Sequence, residues 1–185
     1  MSTVFIFHGY GGYPEKNWFP WLKIQLEQDG HSVCVPAMPD PEHPDLKRWF
    51  ADFPVSHLAD PECMIIGHSL GATFALRLLE RLDHPIAATF LVAPVPGPLG
   101  NDLDPILATF IDHPFAWNVI RRNCPRFTVF HAKNDPYIRL PLAQDLARNL
   151  GTTLTLIPGG GHLNATAGFT EFPLLLEHVR SSINI

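Results

Sequence analysis

Apolar residues fall along this chain in short blocks that follow two different rhythms. Six blocks, residues 3–7, 32–35, 63–66, 87–92, 127–130 and 153–157, are rich in Val, Ile, Phe, Leu and Thr and are more continuous than alternating. Runs of that kind mark strands covered on both faces, as in a parallel sheet. Between several of them the rhythm becomes helical. Ala75, Leu78, Leu79 and Leu82 stand at i, i+3, i+4 and i+7, and so do Phe172, Leu175, Leu176 and Val179, with Ile183 a turn further. Leu142, Leu146 and Leu150 predict another helix, ended by Gly151. Trp18, Trp21, Leu22 and Leu26 predict one more, with Gly30 placed to close it at C′. Strands alternating with helices predict βαβ units: a layered α/β fold of about six parallel strands with helices on both faces. Neither a repeat nor a linker divides the chain, so residues 1–185 read as a single domain. Two irregular segments, 36–44 and 94–105, each follow a predicted strand, at the sheet edge where ligands bind in open α/β folds.

Composition narrows the range of functions. Apolar residues make up 46% and charged residues 17%, which excludes a disordered chain. Nineteen prolines, about twice ordinary usage, fit many short elements joined by stiff turns. The net charge of −5, with no basic run longer than two residues, argues against a nucleic-acid partner. No apolar stretch reaches membrane-spanning length, and the chain enters its first strand with no signal-peptide pattern before it. Three scattered cysteines, Cys34, Cys63 and Cys124, fit reduced core thiols in a cytoplasmic protein better than disulfides. Oligomeric state leaves no trace in the sequence.

The strongest chemical signal is Gly67-His68-Ser69-Leu70-Gly71, which fits G-x-S-x-G. A predicted strand runs into it and the helix predicted over 72–82 runs out, so a tight turn would push the Ser69 hydroxyl out at the sheet edge. A serine hydroxyl is a weak nucleophile until a base takes its proton, and that base needs an orienting acid. After the fifth strand stands Asn134-Asp135-Pro136, and after the sixth Gly159-Gly160-Gly161-His162. Ser69, Asp135 and His162 thus arrive in the order Ser, Asp, His, each after its own strand. Asp135 before Pro136 is also an ordinary turn residue, and His162 an ordinary loop histidine. Their joint occurrence favours catalysis.

Acyl chemistry also needs donors for a developing oxyanion. The expected pair is the backbone N–H of Leu70, just after the serine, and that of Tyr10, in the loop His8-Gly9-Tyr10-Gly11-Gly12. That loop does not fit G-x-G-x-x-G, and no Walker lysine follows it. Four of the ten histidines, His8, His68, His131 and His162, lie at predicted strand ends, yet no pair has H-x-x-x-H spacing, so no metal and no cofactor is expected. His68 reads as a packing and hydrogen-bonding residue. His8, Trp18 and His68 are possible substrate-lining residues; Trp21, Trp49 and Phe50 read as core.

These motifs, together with Asn17-Trp18-Phe19-Pro20-Trp21-Leu22 and the segment 168–173, resemble the small α/β-hydrolases of the retinoblastoma-binding protein 9 and YdeN type over nearly the whole chain. The resemblance implies a compact three-layer α/β-hydrolase lacking the first two strands of larger relatives. It also implies a Ser-Asp-His triad at Ser69, Asp135 and His162, and serine-hydrolase or esterase-like activity. The L-x-C-x-E motif behind retinoblastoma binding is absent, so that function does not carry over. The expectation is hydrolysis of a small-molecule acyl ester or thioester. Acyl transfer to another acceptor, and a non-catalytic binding protein on the same fold, remain open alternatives. Residues 95–125 are the only room for a lid, which predicts a small one over a fairly open site.

Overall fold

The computed structural model describes residues 1–183; the side chain of Ile183 lies outside the described set. Six parallel strands form one sheet in the order β2-β1-β3-β4-β5-β6. The strands are β1 (Thr3–Phe7), β2 (Ser32–Cys34), β3 (Met64–His68), β4 (Ala88–Val92), β5 (Phe127–His131) and β6 (Leu154–Leu156). Seven α-helices connect or follow them: α1 (Phe19–Gln28), α2 (Leu46–Asp52), α3 (Leu70–Leu79), α4 (Asp104–Ile111), α5 (Trp117–Asn123), α6 (Leu140–Leu150) and α7 (Pro173–Ile183).

Side chains on a strand point alternately to opposite faces, so continuous apolar runs feed two cores. Val4, Ile6, Met64, Ile66 and Phe90 pack against α1 and α7. Phe5, Phe7, Ile65, Leu91 and Val129 pack against α2 to α6 on the other face. The chain therefore folds as a three-layer α/β sandwich. Its central helix is α3, in which all ten residues are buried. Each fully buried leucine there contributes about 1.5–3 kcal/mol.

Several boundaries differ from the sequence reading. Helix α3 begins at Leu70, directly after Ser69, and stops at Leu79, short of Leu82, because the chain turns toward Pro85. Segment 94–105 is not wholly irregular, since α4 opens at Asp104 with Pro105 in its first turn. Cys63 and Cys124 are buried as expected, but Cys34 is exposed: it lies on edge strand β2, where only Val33 faces inward.

Segment 104–123 is fastened down on α3. Arg77, itself buried, donates from Nε to the carbonyl of Phe110 (3.0 Å), also reaches the carbonyl of His113, and pairs with Glu80 at 2.8 Å. Its guanidinium lies 3.9 Å from the ring centroid of Phe115.

Strand order reverses between β1 and β3: the chain leaves β1 for β2 on one side and continues from β3 toward β6 on the other. A crevice opens outside the carboxyl ends of strands at such a point. The loops after β1 and β3 meet there.

Candidate active site

Ser69 occupies the turn between β3 and α3 at φ 55°, ψ −120°, a region non-glycine residues rarely enter. The turn is held by the Ser69 N–H, which donates to the Val92 carbonyl at 2.9 Å. It is possible only because its flanking residues lack side chains. A Cβ at Gly67 would overlap Ala72, and one at Gly71 would overlap the carbonyls of Phe7 and His8. Gly9 also sits close, since its Cβ would stand 2.8 Å from that of Ser69. Asn17, Ala93 and Leu163 also have positive φ, and with Ser69 they concentrate backbone strain beside or within the loops around one crevice.

The loops after β5 and β6 bring Asp135 and His162 together. His162 Nδ1 donates to Asp135 Oδ2 at 2.9 Å, and both side chains are almost wholly inaccessible. Asp135 Oδ1 accepts from the N–H groups of Tyr137 (2.9 Å) and Ile138 (3.0 Å). Burial pushes the Asp135 carboxyl upward, but the His162 hydrogen bond and charge and these two N–H groups outweigh it, leaving its pKa below the ordinary aspartate value. The loop carrying His162 is tied at three points. Gly161 N donates to Asn134 Oδ1 (3.1 Å), His68 Nε2–H donates to the His162 carbonyl (3.0 Å), and Trp18 Nε1–H donates to the Leu163 carbonyl (3.0 Å).

Ser69 and His162 line one cavity of about 260 Å³. Among the described residues no hydrogen bond joins Ser69 Oγ to His162, whose side chain bonds Asp135. Catalytic hydrogen bonds are often loose before substrate binds and tighten in the complex. The Leu70 and Tyr10 N–H groups, both expected as oxyanion donors, donate no hydrogen bond among the described residues. Tyr10 lines the cavity, and Leu70 opens α3, whose N-terminus carries a positive partial charge.

The other histidines have structural roles. His68 is on the cavity wall, but burial pushes its pKa down to about 3, and it stands edge-on to His162 with ring centroids 5.0 Å apart. It is therefore a neutral donor at physiological pH. His8 and Trp18, possible wall residues from the sequence, do not line the cavity; both are buried behind it. The reason is the bonding of their polar atoms: His8 Nε2 accepts from Met38 N at 3.0 Å, and Trp18 is spent on Leu163. Burial also lowers the His8 pKa. His131 donates from Nε2 to the Ile138 carbonyl (3.0 Å), and its Nδ1, 3.9 Å from Asp135 Oδ2, has no hydrogen-bond partner among the described residues. Among the described residues no three His, Cys, Asp or Glu side chains are grouped to hold a metal ion.

Sequence reasoning missed most of the wall. Val95, Leu99, Leu103 and Leu107 form an apolar side, and Lys16, Asn17, Asn164 and Thr166 a polar one. The i, i+4, i+8 spacing of the three leucines was a readable signal; the polar side had none.

A six-stranded parallel sheet with helices on both faces, and a serine on the strained turn at its switch point, define the α/β-hydrolase class. The sequence matches the serine hydrolase family over residues 4–181, and the chain belongs to that family. It is 29% identical to YdeN of Bacillus subtilis over 185 residues, covering 97% of this chain and 95% of that one. The structure of the ydeN gene product superposes with a TM-score of 0.93 at 27% identity, with both chains fully covered. Serine hydrolase RBBP9 of Rattus norvegicus is also 29% identical, over 95% of this chain and 91% of its own. Est1E of Butyrivibrio proteoclasticus shares the fold, with a TM-score of 0.76 at 14% identity, covering 100% of this chain and 89% of that one. No helix among the described residues is long and apolar enough to cross a membrane.

Proposed function

We propose that this serine hydrolase cleaves acyl esters or thioesters through a Ser69-His162-Asp135 triad. The observation carrying the proposal is that Ser69 and His162 face one cavity while His162 Nδ1 is held by a buried Asp135 carboxylate. Ser69 Oγ attacks the acyl carbonyl as His162 Nε2 takes its proton. Asp135 keeps the proton on Nδ1 and stabilises the imidazolium. The unspent N–H groups of Leu70 and Tyr10 receive the oxyanion. The tetrahedral adduct expels the alcohol or thiol, which takes the proton from His162. Water, deprotonated by His162, then attacks the acyl-enzyme, and the adduct collapses to release the acid as His162 returns the proton to Ser69 Oγ.

In this reading residues 95–107 are a fixed apolar wall for the substrate, since Arg77 and the packing of α4 on α3 anchor the C-terminal end of that segment. The unpaired, buried Cys63 and Cys124 support a reducing compartment such as the cytoplasm.

A fluorophosphonate probe and 4-nitrophenyl esters of graded chain length test the reaction. Wild type is expected to label and to turn over short acyl chains, and Ser69→Ala to do neither, with kcat lower by about 10⁴-fold or more. Labelling that survives in Ser69→Ala would remove Ser69 as nucleophile. Absence of labelling in wild type would favour a binding role.

A further inference from the structure

The polar side of the cavity has a donor pattern that the hydrolytic reaction does not require. Lys16 is half-buried on that wall and spends one donor on the Gly11 carbonyl at 2.9 Å. Its ammonium makes no ion pair among the described residues. Not one of the cavity-lining residues is Asp or Glu, in a chain whose net charge is −5. Glu42, beside Gly11, is exposed and stands outside the wall.

Two amides reinforce the pattern. Asn17 Oδ1 accepts from Ala165 N (3.0 Å), and Asn164 Oδ1 accepts from Ala167 N (3.0 Å). A backbone N–H 3.0 Å from an amide end cannot face an NH₂ group, so these contacts fix which end of each amide is oxygen. Both NH₂ groups are left without a partner among the described residues, and both asparagines line the cavity. The charge of Lys16 is also felt at the site, where it is one contributor to the lowered pKa of His68 and of His8. Lys16, Asn17, Asn164 and Thr166, which carry one ammonium, two amide NH₂ groups and a hydroxyl, thus line one side of a partly open cavity that has no carboxylate among its lining residues.

We infer that the substrate is an acyl ester bearing a carboxylate, seated on Lys16, Asn17 and Asn164, with its apolar part against Leu99, Leu103 and Leu107. This rests on the esterase reading above and adds the chemical class of substrate. A single ammonium flanked by amide donors matches one carboxylate; with no guanidinium on the wall, a phosphate dianion is matched less well. The same donors would enrich anions at the mouth by field focusing.

The test uses two ester pairs that differ only in charge. Mono(4-nitrophenyl) glutarate and its methyl ester put the charge on the acyl side. The butyryl esters of glycolate and of methyl glycolate put it on the alcohol side. For at least one pair, wild type is expected to favour the anion by about tenfold or more in kcat/KM, the range of a hydrogen bond to a charged group. The preference should fall toward unity in Lys16→Met, return in Lys16→Arg, and shrink with added salt. Fluorophosphonate labelling of each variant checks that the site is folded. A preference for the neutral ester in both pairs, or an anion preference unchanged in Lys16→Met, overturns the inference while leaving the esterase reading intact. If no ester is turned over, the esterase reading fails, and calorimetric titration of glutarate against glutaramide into Ser69→Ala decides the charge preference: tighter glutarate binding lost on Lys16→Met supports it, and equal binding overturns it.

Discussion

A Cβ added at Gly67 or Gly71 would overlap backbone atoms of neighbouring elements, whereas one added at Gly97 or Gly100, in the loop after β4, meets no atom within 4 Å. Both regions border the same cavity, through Ser69 on one side and Val95 and Leu99 on the other. Around the serine, β1, β3 and α3 approach until only hydrogen fits between them, and backbone cannot rearrange cheaply. The loop after β4 has free space, and its side chains reach the cavity without bearing on the serine. In the proposed reaction, closely packed backbone would set where the chemistry happens, and the roomier loop would help set what is admitted. One can be altered with little effect on the other.

Three substitutions test that contrast, in descending order of effect. Gly71→Ala should be the most damaging, because its methyl group meets the Phe7 and His8 carbonyls and not a yielding side chain. A loss of about 3 kcal/mol or more is expected, which for a chain of this size lowers Tm by about 6–12 °C. An unchanged melting curve would show that β1 and α3 are less tightly joined than described.

Asp135→Asn should keep the fold and lower kcat by about 10⁴-fold, as expected when the acid of such a triad can no longer hold the correct imidazole tautomer. Its stability effect has a definite sign. The Asp135 pKa is lowered in the folded state, so its contribution is present above the unfolded value near 3.8 and is lost as pH falls below it. Wild type should therefore melt higher than Asp135→Asn at neutral pH, and the two melting temperatures should converge on acidification below about pH 4. A gap that persists at lower pH would separate its cause from the carboxylate charge. Gly97→Ala should change stability by no more than about 0.5 kcal/mol and leave turnover of a short ester within about twofold. A large loss at Gly97 would make this loop as constrained as the serine turn.

The contrast also explains what could be read before folding. The alternation of strands and helices, the helix faces and the arrival of Ser69, Asp135 and His162 after β3, β5 and β6 come from local rules: continuous apolar runs, 3.6-residue spacing, and glycines where backbones meet. The G-x-S-x-G glycines were legible because a steric requirement permits only one residue type. Helix ends were less so; α3 starts two residues before the predicted start at 72 because the turn at Ser69 sets its first residue, not the apolar stripe. His8 and Trp18 were expected as possible wall residues, and sequence cannot say whether an aromatic side chain in the segment between β1 and α1 faces a cavity or supports it from behind. That depends on which distant backbone atom its nitrogen meets, Met38 N for one and the Leu163 carbonyl for the other. Lys16, Asn17 and Asn164 were invisible for the same reason, since they become neighbours only when loops nearly 150 residues apart are joined through Asn17 and Ala165.

Helix α3 has a consequence for how the protein loosens. Every one of its residues is buried, and it touches β1, β3, β4, α4 and α5. Segments with that density of contacts exchange their amide protons only when the whole domain opens, whereas exposed loops open separately and often. Ser69 stands at the N-cap of this helix, directly before its first residue. Thermal fluctuation would therefore open the exposed loops of the rim long before it displaced the serine, and on the proposed mechanism a partly opened molecule would lose discrimination among substrates before it lost its nucleophile.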